Sequence, residues 1–333
     1  MLRSPPEFWN RGGVLPALLA PLGWAFAGVG ALRRAATNPW QAPVPVLCVG
    51  NLVVGGAGKT PVAIALARRL AQLGERPHLL TRGYGGRLTG PMRVKPNQHH
   101  YRDVGDEALL LATAAPTWIA RDRVRGARRA ARLGASVLVL DDGFQNPRLA
   151  QDLKLVVIDG AYGFGNGCVM PAGPLREMVW TGLRRADAVV LLGEDRAGVA
   201  KRLGRKPVLR GRLVPRADAP SLAGERVVAF AGIGRPGKFF EFLTTLGAQV
   251  VARHPFPDHY AFTERDLVQL AGEAKRAEAR LVTTEKDLIR VPLALRRDIL
   301  TLPIEVIWEN ESAVDAVLAS VRSRHRGTLV PNG

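Results

Sequence analysis

Between Val53 and Thr60 the chain reads V-V-G-G-A-G-K-T, a glycine-rich stretch ending in a lysine and a hydroxyl residue. Glycines allow close backbone approach to a bound group, and backbone N–H groups at a helix N-terminus point at anions. This spacing suits a nucleoside triphosphate. Gly55, Gly56, Ala57 and Gly58 cradle its phosphates, Lys59 reaches the β- and γ-phosphates, and the Thr60 hydroxyl ligates Mg²⁺. The strict pattern G-x-x-x-x-G-K-[ST] has a glycine where Val53 stands, so only its second half is matched.

Other segments offer groups to work on such a ligand. "LDDGFQN" puts Asp141 and Asp142 at the end of an apolar run, where a nucleotide enzyme needs carboxylates for Mg²⁺; a plain Asp-Gly turn is the alternative. "VGDEALLLA" opens a helix with Asp106 and Glu107, either reactive carboxylates or ordinary helix-dipole partners. "PAGPLREMVW" brings Arg176 to offset phosphate charge and Glu177 to assist at the metal, unless both are a solvated first turn. In "HPFPDHYAF", His254, Asp258 and His259 form a loop in which an Asp–His pair can move a proton from an attacking hydroxyl; a solvated loop is the competing reading. "TRGYGGR" is either a mobile loop over a phosphorylated substrate or a plain loop, and His99 and His100 read as structural.

The elements that must position these groups follow from periodicity. "VPVLCVGN", "RPHLLTRGY", "SVLVLDDGF", "LKLVVIDG" and "ADAVVLLG" are strand-like runs separated by amphipathic stretches, which predicts a mostly parallel sheet flanked by helices. The strand, glycine loop and helix at Val44–Leu70 make this an α/β fold of the P-loop NTPase kind. Residues 37–210 are expected to form the nucleotide-binding domain and 211–225, rich in Pro, Gly and Arg, a linker; 226–333 restart the alternation as a second, smaller α/β domain. There "FAGIGRPGKFF" resembles the dinucleotide fingerprint, but "VVARHPF" lacks the acidic residue due after the next strand, so a tight strand-to-helix turn is expected.

The chain has 333 residues, 47% hydrophobic, and a net charge of +18, which excludes a disordered protein and calls for an anionic partner. Arg is scattered rather than striped, so no nucleic-acid partner is expected, and no obligate protein partner is evident. Two cysteines, Cys48 and Cys168, fit neither a zinc site nor a disulfide framework. Residues 1–36 include an uncharged stretch between Arg11 and Arg33 of roughly membrane-spanning length. Signal peptide, true span and interfacial segment compete for it; the nearby nucleotide loop favours an interfacial anchor whose arginines meet anionic headgroups.

In order along the chain, "GNLVVGGAGKTP", "TRGYGG", "GDEALLLA", "LDDGFQ", "PAGPLRE", "FPDHYAF" and "TTEKD" resemble the tetraacyldisaccharide 4′-kinase (lipid A 4′-kinase) family over nearly the whole length. That resemblance implies transfer of the ATP γ-phosphate to the 4′-hydroxyl of an acylated disaccharide 1-phosphate, giving lipid IVA. It also implies a peripheral or monotopic enzyme on the cytoplasmic face of the bacterial inner membrane. By motif, Lys59 and Thr60 serve ATP and Mg²⁺, Asp141 and Asp142 the acidic motif, and Arg176 and Glu177 the phosphate and metal. Asp106 and His259 match an acid–base pair; apart from the resemblance, the two-domain layout suggests a cleft whose closure completes the site. Asn146 stands where the family commonly has histidine. The competing class is a P-loop NTPase acting as a switch or metallochaperone, which needs neither acyl lipid nor His259.

Overall fold

The computed structural model describes residues 6–329. In chain order its first part runs α1 (Val14–Ala35), β1 (Val46–Gly50), α2 (Lys59–Gln72), β2 (Pro77–Thr81), β3 (Met92–Arg93), α3 (Tyr101–Val104), α4 (Asp106–Leu111), β4 (Thr117–Ile119), α5 (Arg123–Arg132), β5 (Val137–Asp141), β6 (Leu153–Asp159), α6 (Val179–Arg185), β7 (Ala188–Leu192) and β8 (Val208–Pro215). Its second part runs β9 (Arg226–Ala231), α7 (Pro236–Thr245), β10 (Gln249–Pro255), α8 (Glu264–Arg276), β11 (Arg280–Thr284), α9 (Glu285–Leu288), β12 (Ile299–Leu302), β13 (Ile304–Trp308) and α10 (Glu311–Leu329).

A nine-stranded sheet in the order β13-β8-β7-β6-β1-β5-β2-β4-β3 carries the glycine loop at its centre. Its inner pairs are parallel; only β3 and β13 at the edges run antiparallel. Central strands are apolar from end to end because helices cover both faces. Alternation along β1 sorts the sides: Leu47 and Val49 pack with Val62 and Leu66 of α2 and with Val314 and Leu318 of α10, while Val46 and Cys48 meet Ala127 and Ala130 of α5. The second sheet, β10-β9-β11-β12, is parallel throughout.

The mostly parallel α/β architecture is the one the alternation predicts, but two boundaries differ. Residues 211–215, expected in the linker, complete β8. Residues 304–329, expected in the smaller domain, return to the large sheet: β13 pairs antiparallel with β8, and α10 packs on β1 and β6. Only Pro303 separates β12 in the small sheet from β13 in the large one. Apolar alternation is the same on either sheet, so the pattern alone could not place this strand.

The N-terminal apolar stretch is one helix. Pro16 lies in its first turn, where no intrahelical N–H is required. Arg33 and Arg34 fill the last turn, where positive charge complements the helix dipole. Gly23 rests against the Val169 backbone and Ala27 against the core, whereas Leu18, Leu22, Val29 and Leu32 are exposed. Among the described residues, α1 is the one helix long and apolar enough to cross a membrane.

Candidate active site

The glycine loop follows β1 and opens α2, so its N–H groups stand at the carboxyl edge of the sheet, where open α/β folds bind ligands. Gly58 caps α2 with left-handed backbone (φ 85°), and a Cβ there would collide with Leu192. The left-handed backbone favours glycine there, and any larger residue would also have to displace the Leu192 side chain.

Behind the loop, β5 ends in the aspartate pair. The Thr60 hydroxyl donates to Asp141 Oδ2 at 3.0 Å, and Asp141 Oδ1 is buried without a protein partner. Burial and the Glu107 charge push the Asp141 carboxyl up to about 7. A carboxylate oxygen awaiting a partner beside a threonine hydroxyl fits Mg²⁺, which takes one or two carboxylates and completes its shell with phosphate and water oxygens. Asp142 is occupied differently: Arg176 Nη1 lies 2.9 Å and Lys59 Nζ 3.7 Å from its Oδ1. Burial opposes its charge, but Lys59 and Arg176 outweigh burial and hold it below the usual carboxylate range. Asp142 adopts left-handed backbone (φ 57°), a conformation uncommon outside glycine that aims this carboxylate at the two cations.

Glu177, expected at the metal, is held by cationic side chains in the structure. Its carboxylate is 1% exposed and is gripped by Arg185 Nη2 at 2.6 and 2.8 Å, with Gln145 Nε2 at 3.2 Å and Arg34 of α1 at 3.6 Å. A buried carboxylate so engaged anchors the Arg176 segment. Among the described residues no cluster of three or more His, Cys, Asp or Glu forms a metal site.

Across the cleft, the loop after β10 meets the start of α4. His259 Nδ1 lies 2.9 Å from Asp106 Oδ2 and 3.1 Å from Oδ1. The expected pair is thus already assembled between the two sheets. Arg290 Nε stands 3.3 Å from Asp106 Oδ2, and the Glu107 N–H donates to Oδ1 at 2.8 Å. Burial works against the Asp106 charge, but the His259 hydrogen bond and the Lys286, His259 and Arg290 charges lower its pKa to about 2. An ionised carboxylate only accepts, so the hydrogen bond places a proton on His259 Nδ1, and Nε2 on the other side of the ring lies 3.8 Å from Asp258 Oδ1. Asp106 is 3% exposed and lies behind His259, which faces the cavity. His259 also has left-handed backbone (φ 60°), and the Tyr84 ring of "TRGYGGR" packs on it with centroids 5.1 Å apart.

One cavity of about 2040 Å³ joins the two halves, lined by the glycine loop, Asp142, Arg176, Tyr84 and His259. Several residues around it gave no sequence signal. Lys286 of "TTEKD" bridges Glu107 at 3.1 Å and Asp258 at 3.6 Å; burial would lower its pKa, yet these carboxylates and Asp106 raise it. Buried Arg123 donates to the Ala120 carbonyl, and burial brings its pKa down to about 10. The Glu107 partner of Lys286 lies 179 residues away, so only the motif context of Lys286 pointed to it. Elsewhere, His254 pairs with Glu273 at 3.0 Å, and His99 and His100 accept backbone N–H groups. The Asn146 side chain accepts from the Arg148 N–H and shapes a turn.

A glycine phosphate loop between a central strand and its helix, with an aspartate pair on the neighbouring strand, defines a P-loop nucleotide-binding protein. Comparison with known proteins narrows this: residues 15–322 match the family model described as LpxK, tetraacyldisaccharide-1-P 4′-kinase, and the chain belongs to that family. It is 56% identical to a tetraacyldisaccharide 4′-kinase of Rhodospirillum centenum, over 96% of each chain. It is 51% identical to another of Paramagnetospirillum magneticum, covering 92% of this chain and 95% of that one. A solved structure of LpxK from Aquifex aeolicus in complex with ATP superposes with a TM-score of 0.75 at 28% identity, covering 92% of this chain and 99% of that one. The chain is a kinase of lipid A biosynthesis that uses ATP with Mg²⁺.

Proposed function

We propose that the chain transfers the γ-phosphate of ATP to the 4′-hydroxyl of tetraacyldisaccharide 1-phosphate, with His259 as the proton acceptor and Asp106 as its partner. The observation that carries this assignment is the 2.9 Å Asp106–His259 contact, which presents a basic ring nitrogen to the cavity that holds the phosphate loop. As the sugar oxygen attacks the γ-phosphorus, the bond to the β,γ-bridging oxygen breaks and ADP leaves; the hydroxyl proton passes to His259 Nε2, and buried Asp106 stabilises the imidazolium. Tyr84 limits ring rotation.

Lys59 and Arg176, both on Asp142 in the structure, supply the positive charge that a transferring phosphoryl group requires. Thr60 and Asp141 would hold Mg²⁺, with Asp142 close by; the bound ion supplies charge neutralisation at the phosphate oxygens. Arg176 is kept in place through Gln145, which shares Glu177 with Arg185. The acceptor arrives from a membrane: the exposed apolar face of α1 lies in the cytoplasmic leaflet of the inner membrane and Arg33 meets anionic headgroups, while Arg34 turns inward to Glu177.

Steady-state kinetics of Asp106→Ala and His259→Ala test the reading. General-base loss predicts a fall in kcat of about 10²–10⁴-fold with little change in KM for the lipid. A rise in KM alone would make both residues binding groups and overturn the assignment.

A further inference from the structure

The "GIGRPGK" segment, which only resembles a dinucleotide motif, is the turn from β9 to α7, and it lies on the phosphate loop. A Cβ on Gly234 would stand 2.8 Å from Gly56 N and 3.3 Å from Gly55 Cα, so the two backbones pass each other with room for nothing larger than glycine. The next residue, Arg235, donates from Nη2 to the Gly56 carbonyl. Its Nη1 lies 3.3 Å from Asp159 Oδ2, and its guanidinium covers the Tyr162 ring at 4.4 Å. Asp159 ends β6, the neighbour of β1, and also holds Lys238 Nζ at 2.6 Å. Burial disfavours the Asp159 charge, but Lys238 and Arg235 outweigh it and keep the carboxylate ionised. A planar two-pronged guanidinium reaches Asp159 and the loop carbonyl at once, which a single ammonium group cannot.

In a trans peptide the carbonyl and the following N–H point in opposite directions. Fixing the Gly56 carbonyl therefore fixes the direction of the Ala57 N–H, which donates to the Gly55 carbonyl at 3.0 Å and closes the turn of the phosphate loop. We propose that Arg235 is a positioning residue for ATP: reaching from the small sheet, it orients the Gly56–Ala57 peptide of the phosphate loop, so that nucleotide affinity depends on this contact between the two halves of the molecule. Lys238 only helps to hold Asp159 and does not touch the loop. This inference rests on ATP use and is independent of which group accepts the proton.

The test is titration of the full-length protein with a fluorescent ATP analogue and Mg²⁺, without acceptor lipid, on the native chain, Arg235→Gln, Arg235→Lys and Lys238→Met. Loss of one charge-assisted contact at the loop predicts about a tenfold rise in Kd for Arg235→Gln and a several-fold rise for Arg235→Lys, with Lys238→Met within about threefold of native. KM for the lipid is expected to stay within about twofold, because uniform loss of ATP binding leaves the acceptor site intact. If Arg235→Gln does not fold, Arg235→Lys carries the test alone. Native affinity in the Arg235 variants that fold, or an equal loss in Lys238→Met, overturns the proposal, the second outcome reducing the contact to general support of the interface.

Discussion

Charge decides the site at the scale of single residues. Lys59 and Arg176 converge on one oxygen of Asp142, while Asp106 collects His259, Arg290 and, at longer range, Lys286. Removing the Lys59 charge in Lys59→Ala should cost on the order of 3–4 kcal/mol of transition-state stabilisation, a 10²–10³-fold fall in turnover of the kind seen on losing one electrostatic donor. Unchanged turnover would remove Lys59 from the phosphate site. Asp106 also ties stability to pH. Its folded pKa, about 2, lies below the ordinary 3.8, so the ionised form stabilises the fold above the ordinary value, and that stabilisation fades as pH falls towards 2. Its size is about 2 kcal/mol. Acid titration followed by circular dichroism should therefore show a shallower loss of stability for Asp106→Asn than for the native chain between about pH 4 and about pH 2; parallel curves would contradict the depressed pKa. Lys59 and Thr60 were legible because the glycines of their loop precede them directly, and Asp106 and His259, 153 residues apart, only through the motifs that carry the resemblance. The partners of Glu177 gave no such signal: Arg185 and Arg34, which neutralise it, lie on α6 and α1, and no spacing rule joins them to Arg176.

Secondary-structure elements were more legible than their partners. Continuous apolar runs gave the central strands, and the strand, glycine loop and helix stand where the motif requires. The return of β13 and α10 to the large sheet was invisible because sheet membership is a long-range property. In α1, eight large apolar side chains, from Val14 to Leu32, are exposed, far more than a soluble surface helix leaves unpaired. Serine at Leu18, Leu22 and Val29 together should reduce co-sedimentation with anionic vesicles by well over tenfold, since each buried side chain of this type is worth about 1.5–3 kcal/mol. The ATP-analogue affinity should stay near native, and unchanged sedimentation would exclude this face from membrane binding.

For the whole molecule, two sheets share one cavity: the large one brings the phosphate loop and the aspartates, the small one His259, Lys286 and Arg235. Neither half holds the reactive pair by itself, which explains why the resemblance runs across nearly the entire chain. A net charge of +18 predicts that vesicle association weakens as salt rises, because a Debye length of about 10 Å at 0.1 M shortens to about 3 Å at 1 M; salt-independent binding to anionic vesicles would leave the apolar face as the sole determinant. The most direct test of the account is transfer of labelled γ-phosphate from ATP to tetraacyldisaccharide 1-phosphate in detergent micelles, with native protein beside Asp106→Ala. Labelled lipid from the native protein and almost none from the variant is the predicted result. Free labelled phosphate without labelled lipid, or equal transfer by both proteins, would contradict it.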